Sequence, residues 1–327
     1  LSKNDVYFSE TREGKVGKIS ELGCTHFIDD LKEVFQESTF PRGVKKFLLT
    51  SGKEGSARYS TCDNWYDIKY TLLGNDDQEV DKLLAKSLLG DFPDSFKQIK
   101  GRGNSRVYKV TKKKKKFALK IYPNKHLDER PRLKTEFSSL AFLHKNSILN
   151  VPKPVSKDIN LNIGLYSWIE GKTVEDTSKN HLDDCIDFVK LLNSLETQEE
   201  EFDLASQACL SGVELRRQIR KRLEKLISEG KDKNLNLFLV KSFSPLLKQI
   251  EQKYFKKWPL SSKDTDLIKE KRILSPSDFG FHNALLRKNK GLCFLDFDYF
   301  GWDDPVKLVS DFYWHPAMDL TNKQRNY

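Results

Sequence analysis

Apolar and polar positions alternate over Arg106-Val107-Tyr108-Lys109-Val110 and again over Phe117-Ala118-Leu119-Lys120-Ile121-Tyr122. A period of two marks a strand with one face in a core. The polar run Lys112 to Lys116 lies between them, so the pair predicts an antiparallel hairpin turned by lysines. From Arg132 to His144 the period lengthens, and Leu133, Phe137, Leu140 and Ala141 fall on one helical face. Leu182, Ile186, Val189 and Leu192 repeat that pattern, and Leu215 to Ile227 forms a further helix. Leu235 to Phe255 is helical in pattern as well, although Pro245 should break or kink it. Shorter β-like pieces are Phe96 to Lys100, Ile163 to Ile169, Ile273-Leu274, Leu285-Leu286 and Leu292 to Leu295.

The chain before Gly74 has its own rhythm. A helix over Lys15 to Leu22 precedes a strand at Thr25 to Ile28. A second helix starts near Leu31 and stops before Pro41, and a strand follows over Lys46 to Thr50. Strands alternating with helices predict α/β organisation there. A short helix over Glu79 to Leu89 leads into the rest. Three segments result: 1–74, α/β; 77–170, rich in strands; and 171–327, mostly helical as far as Lys271. The expected class is α+β.

Composition narrows the compartment. Of 327 residues, 38% are hydrophobic and 32% charged. No apolar run reaches the roughly 18 residues of a membrane span, so none is expected. The start, Leu1-Ser2-Lys3-Asn4-Asp5, is polar and unlike a signal peptide. The five cysteines are scattered without a CxxC pair, which favours a reduced, cytoplasmic setting. The first residue is Leu1 and the sole methionine is Met318, so sequence upstream of Leu1 is expected. The net charge of +10 fits nucleic acid, an anionic surface or phosphorylated ligands. Part of it is the lysine turn, and no interleaved aromatics accompany that run, so no nucleic-acid partner is expected.

Candidate chemistry concentrates near the end. Asp278 and Asn283 are followed by Asp296, a D-x4-N-x12-D pattern. One Asp can orient a hydroxyl and take its proton, while Asn and the second Asp supply the oxygen ligands that Mg²⁺ prefers beside ATP phosphates. Upstream and in order stand Gly101-Arg102-Gly103-Asn104-Ser105 between strands, Lys120 on the returning strand and Glu136 on the next helix. Glycines in such a turn let backbone N–H groups approach phosphate. A strand lysine oriented by a helix glutamate suits the α- and β-phosphates.

In these motifs, with Leu295-Asp296-Phe297-Asp298, Gly301 and Asp304-Pro305, the stretch from about 90 to 320 resembles the aminoglycoside phosphotransferase/choline kinase superfamily. The resemblance implies a bilobal protein-kinase-like fold, with a small antiparallel-sheet lobe (77–170, nucleotide-binding) and a larger helical lobe (171–327, catalytic and acceptor-binding). It implies a kinase that moves the γ-phosphoryl of Mg-ATP to a hydroxyl of an amino alcohol, aminoglycoside or sugar. The implied roles are Asp278 as base or orienting group and Lys120 with Glu136 on the phosphates. Gly101, Gly103, Asn104 and Ser105 would form the phosphate loop. Trp168 and Glu170 belong to a hinge that meets adenine mainly through backbone groups. Asn283 and Asp296 are the implied Mg²⁺ ligands. Asp298 is a second metal ligand or a structural partner. His282 reads as structural.

Relatives usually carry His two residues before the catalytic Asp, where this chain has Pro276. Between Lys172 and Asp203 ten acidic residues face three lysines, which would suit a cationic acceptor. Lys18 and Asp29-Asp30 resemble the later motifs of haloacid-dehalogenase-like phosphatases, whose D-x-D nucleophile would have to lie upstream. Asp296-Phe297-Asp298 fails as that nucleophile on order and on Phe300. The alternatives to a kinase are a degenerate kinase-fold nucleotide-binding module and a phosphatase acting through residues 1–74.

Overall fold

The computed structural model describes residues 6–50, 58–62, 65, 68, 71–72, 78–99, 105–123, 128–175, 178–196, 202–230, 232–259, 264–318 and 320–325. The chain divides into two compact units, Leu1–Ser87 and Leu88–Tyr327.

In the first unit, helix α1 (Arg12–Glu21) starts at Thr11, whose side chain accepts the Gly14 N–H. Strands β1 (His26–Asp29), β2 (Lys45–Leu49) and β3 (Ser60–Cys62) form a parallel sheet in that order, the α/β pattern that the sequence predicts. The helix expected from Leu31 is only a 3₁₀ turn, Lys32–Gln36, which tucks Val34 and Phe35 into the core with Val16, Ile19, Phe40 and Leu48. Lys18 does not reach the acidic pair: it bonds Glu21 at 2.6 Å, whereas Lys15, one turn earlier, reaches Asp29 at 2.5 Å. Helix α2 (Gln78–Leu89) leads out of this unit.

The second unit begins with a five-stranded antiparallel sheet, order β4-β5-β6-β8-β7, built from β4 (Ser95–Ile99), β5 (Arg106–Lys112), β6 (Lys115–Ile121), β7 (Pro154–Asp158) and β8 (Ile163–Ser167). The predicted hairpin is β5–β6, turned at Lys113 and Lys114 with φ of 48° and 64°. Two left-handed residues match the right-handed twist of the strands, at about 1 kcal/mol or more for each non-glycine. Strand β7 carried no alternating signal. It is an edge strand, where Pro154 loses no ladder bond that a central position would need.

Helix α3 (Arg132–Lys145) buries Arg132, Leu133, Glu136, Leu140 and Leu143, while Ala141 is exposed. The buried face is thus rotated from the purely apolar stripe, because two charged residues belong to it. Helix α4 (Lys179–Asn193) buries Leu182, Cys185, Phe188 and Leu192, and leaves Ile186 exposed. Cys185 packs there as a small hydrophobe. Helix α5 (Gly212–Glu229) is followed by α6 (Lys233–Phe238), a π turn at Leu239–Phe243 and α7 (Ser244–Phe255), which run on from one another. Pro245 therefore does not end the helix. It falls in the first turn of α7, and the wider π turn absorbs the bond it cannot make. The Leu239 carbonyl accepts both the N–H and the hydroxyl of Ser244.

The rest of the unit is a set of short strands around the core. Strand β9 (Lys172–Thr173) joins β11 (Ala284–Arg287) and β12 (Gly291–Phe294), and β10 (Ile273–Ser275) pairs with β13 (Gly301–Asp303). Helix α8 (Pro305–Trp314) follows, capped by the Asp304 carboxylate on the Val306 N–H. Phe188, Phe279, Phe294 and Phe297 stack in the core, each burial contributing roughly 1.5–3 kcal/mol. Phe279 adjoins Asp278, and Phe297 stands between Asp296 and Asp298, so the core fixes the backbone of all three carboxylates. Among the described residues, no helix is long and apolar enough to cross a membrane.

Candidate active site

Strand β6 turns Lys120 away from the side of Leu119 and Ile121 and into a nest of carboxylates. Its Nζ lies 2.6 Å from Glu136, 2.5 Å from Asp296 and 3.6 Å from Asp298. Lys120 is 8% exposed and Glu136 4%. The Tyr122 hydroxyl, two residues along the same strand face, also donates to Glu136 at 2.6 Å and touches the Tyr166 hydroxyl. Burial works against the Lys120 ammonium, but Glu136, Asp296 and Asp298 outweigh it and hold its pKa well above the usual lysine value. Burial also pushes Glu136 up, with Lys120 pulling it back and Asp296 and Asp298 adding to the rise. Lys120 and Arg132 are two cations against three carboxylates, and the one negative charge left over favours a further cation.

Asp298 is 6% exposed and bound by Arg132 Nη1 at 3.0 Å. Arg132 also binds Asp128 and the Tyr299 hydroxyl. Burial would raise Asp128, but hydrogen bonds from Arg130 prevail and hold it down at about 2. Sequence reading missed Arg132, Asp128 and Tyr299 altogether. Asp128 stands only four residues before Arg132, but Tyr299 and Asp298 lie 167 and 166 residues away, and nothing local announces them.

Asp278 sits after Ser277, which has φ of 68°, and Asp296 itself has φ of 66°. Left-handed backbone at a non-glycine costs energy and persists where the surroundings enforce it, most often at functional sites. The two halves of the motif are tied together by the Leu295 N–H, which donates to the Asn283 carbonyl at 2.8 Å. The Asn283 amide donates to the Asp278 carbonyl at 2.8 Å and to its carboxylate at 3.2 Å. That leaves the Asn283 amide oxygen uncommitted among the described residues. His282 Nε2 donates to Asp278 Oδ1 at 2.9 Å, while its Nδ1 is buried without a partner among the described residues. This hydrogen bond, more than partial burial opposes, holds the Asp278 pKa below the usual carboxylate value. With Pro276 in the place where relatives carry histidine, the imidazole at the carboxylate comes from His282. His315, which sequence reading did not single out, stacks on His282 with centroids 4.1 Å apart and lies 3.8 Å from Asp278.

The glycine two residues after Asp278 has a packing explanation. A Cβ at Gly280 would stand 2.5 Å from Met318 Sδ and 3.0 Å from the His282 ring. Gly280 thus allows the close approach that sets His282 against Asp278.

Gly101, Gly103 and Asn104 lie outside the described residues. Ser105 follows them with a buried hydroxyl that has no partner among the described residues. Glu170 bonds Lys116 at 2.8 Å and Lys109 at 3.2 Å, which holds its pKa at about 2. Lys109 also lies 4.4 Å from the Trp168 ring. The Glu170 carboxylate is thus paired, whereas the Trp168 indole N–H is buried without a hydrogen-bond partner among the described residues.

Carboxylate oxygens of Glu136, Asp296 and Asp298 lie within 4.8 Å of one another. Lys120 and Tyr122 occupy Glu136, and Arg132 occupies Asp298, so the part-exposed Asp296 is the one of the three placed to offer oxygen to a hard divalent cation such as Mg²⁺. Beside Asp278 is a cavity of about 340 Å³, lined among others by Arg222, Tyr299, Asp311, Trp314 and His315. No described residue of the acidic stretch 172–203 lines it. Asp184, from that stretch, instead accepts the Leu292 N–H that starts β12.

Residues 95–323 match the phosphotransferase enzyme family. The chain belongs to this family. That makes it a small-molecule phosphotransferase, a kinase by class, and gives no support to a phosphatase or to a degenerate binding module. The matched residues leave out the 1–74 segment, for which a phosphatase likeness is not shown. Among curated proteins none matches. Solved structures share the fold. A spectinomycin phosphotransferase in its AMP-bound complex superposes with a TM-score of 0.52 at 12% identity, covering 71% of this chain and 72% of its own. The choline kinase LicA from Streptococcus pneumoniae gives 0.51 at 15%, covering 76% and 77%. An aminoglycoside phosphotransferase gives 0.50 at 13%, covering 76% and 81%. The kinase-like architecture of a sheet lobe with a helical region thus holds for this phosphotransferase.

Proposed function

We propose that this phosphotransferase moves the γ-phosphoryl group of Mg-ATP to a hydroxyl of a small molecule held in the cavity beside Asp278. The observation that carries the reading is the buried network in which Lys120, from the sheet, meets Glu136 on one side and Asp296, 176 residues away, on the other. In this reading Lys120 neutralises the α- and β-phosphates, and Glu136 with Tyr122 keeps its ammonium aimed. Asn283 and Asp296 would hold Mg²⁺, which supplies charge neutralisation on the transferring phosphoryl group. Asp298 belongs to Arg132 and acts as a structural brace. Asp278, ionised because His282 and Asn283 bond it, orients the acceptor hydroxyl and takes its proton as the bond to phosphorus forms. Its low basicity is no obstacle, since a loose transition state needs positioning more than early deprotonation.

The cavity wall contains Arg222 and Asp311 as well as Trp314 and Tyr299. Such a wall favours an acceptor with a polar, hydroxylated body and a face that stacks on aromatic rings. The test is transfer of labelled γ-phosphate to a panel of amino alcohols, aminoglycosides and sugars, with product separated from ATP. Label in one acceptor class supports the reading. ATP left intact with every class, at Mg²⁺ saturation, opposes it.

A further inference from the structure

Helices α5 to α7 form a surface that the phosphotransfer reading does not use. Residues 212–258 hold 13 Lys and Arg against 5 Asp and Glu, a net +8 of the +10 of the whole chain. Along the same element, Phe238, Phe243, Leu246, Ile250 and Tyr254 are all exposed. The last four recur at three- and four-residue steps and so form one stripe on α7. Phe238 extends it across the π turn, its ring 6.4 Å from that of Phe243. Phe238, Leu246 and Tyr254 are 54%, 53% and 55% exposed. A contiguous apolar stripe of this kind on a soluble fold marks an interaction surface. Lys253 and Lys257, which flank this stripe at helical spacing, are exposed too, and neither has an acidic partner among the described residues.

We infer that this face docks the phosphotransferase on an anionic lipid bilayer, with the stripe lying in the interface and the lysines on lipid phosphates. The two halves of the pattern together select that partner. A nucleic acid would satisfy the lysines but give Leu246 and Ile250 nothing to leave water for. A neutral apolar groove would cover the stripe and leave the unpaired lysines unused. A bilayer with acidic headgroups takes both, because long lysine stems follow apolar side chains while their ammonium groups reach the phosphates.

The test is flotation of the full chain with phosphatidylcholine vesicles, with and without phosphatidylglycerol. Binding is expected only to the anionic vesicles and should weaken with salt. Lys253→Gln and Lys257→Gln should each weaken it about fivefold. Leu246→Ser with Ile250→Ser should weaken it about tenfold or more. These side chains are exposed, so the variants should melt like the parent and keep their phosphoryl transfer to a soluble acceptor. Parent-like transfer with lost flotation separates this inference from the reaction proposed above. It is overturned if the parent does not float with anionic vesicles, or if the variants float as the parent does. It is equally overturned if the stripe proves to be a dimer face, with parent dimers that L246S/I250S dissociates and no vesicle binding. Binding to RNA without binding to vesicles would also overturn it.

Discussion

Glu136→Gln is the substitution whose consequence follows most directly from the geometry. Glu136 Oε2 accepts from Lys120 and from the Tyr122 hydroxyl, both at 2.6 Å. Gln keeps the shape and one acceptor oxygen but removes the charge. Removing one partner of an isolated buried ion pair costs about 3–5 kcal/mol. Here Lys120 retains Asp296 at 2.5 Å, so the ammonium is not stranded. The loss is then the charge-assisted part of two hydrogen bonds, about 2 kcal/mol in all. For a unit of this size that lowers the melting midpoint by roughly 4–8 °C.

The functional effect should be larger than the structural one. Without Glu136, Lys120 is drawn wholly to Asp296, which displaces it from the phosphates and burdens a proposed metal ligand. A displacement on the scale of 1 Å costs on the order of a hundredfold in kcat/KM. Scanning calorimetry gives the first quantity, and initial rates against Mg-ATP give the second. A Glu136→Gln protein that melts with the parent and keeps its KM and kcat for ATP would refute the idea that this pair aims Lys120.

Other substitutions separate the remaining roles. Asp278→Ala should lower kcat by about 10²–10⁴ with little change in ATP binding, read by initial rates beside nucleotide titration. Asp296→Ala should weaken Mg-ATP binding, and titration calorimetry with unchanged affinity would contradict its assignment. Asp298→Asn should leave Mg²⁺ dependence near that of the parent but destabilise the protein by roughly 2 kcal/mol, because Arg132 loses one charged partner while it keeps Asp128 and Tyr299. A shifted Mg²⁺ requirement without destabilisation would instead make Asp298 a ligand. His282→Ala removes the bond that holds the Asp278 pKa down, so the acid limb of kcat/KM should move to higher pH. The sign for stability agrees. A carboxyl depressed in the folded state adds stability above its unfolded pKa, and that contribution is lost as pH falls through the folded value. His282→Ala should therefore lose part of the parent's stability at neutral pH and less of it in acid, as denaturant melts at several pH values would record.

The sequence made Lys120 and Glu136 legible because strand alternation and helix period place them in order before the D-x4-N-x12-D motif. It made the hairpin legible for the same reason. Where the apolar stripe misplaced a face, a polar or sulfur-bearing residue was part of the buried side: Glu136 and Arg132 on α3, Cys185 on α4. Pro245 predicted a break, and the π turn before it is a tertiary compensation that no local rule announces. The brace of Asp298 by Arg132 and the stacking of His315 on His282 depend on contacts between distant elements, which a single sequence does not display. The acidic run at 172–203 suggested a cationic acceptor by composition alone. Among the described residues, none of its side chains lines the cavity beside Asp278.

The most direct test of phosphoryl transfer through Asp278 is the fate of labelled γ-phosphate with the acceptor panel, run on the parent and Asp278→Ala proteins side by side. The account predicts label in a hydroxylated acceptor with the parent, and loss of nearly all of it in the variant while ATP still binds. Transfer by Asp278→Ala at the parent rate would contradict it.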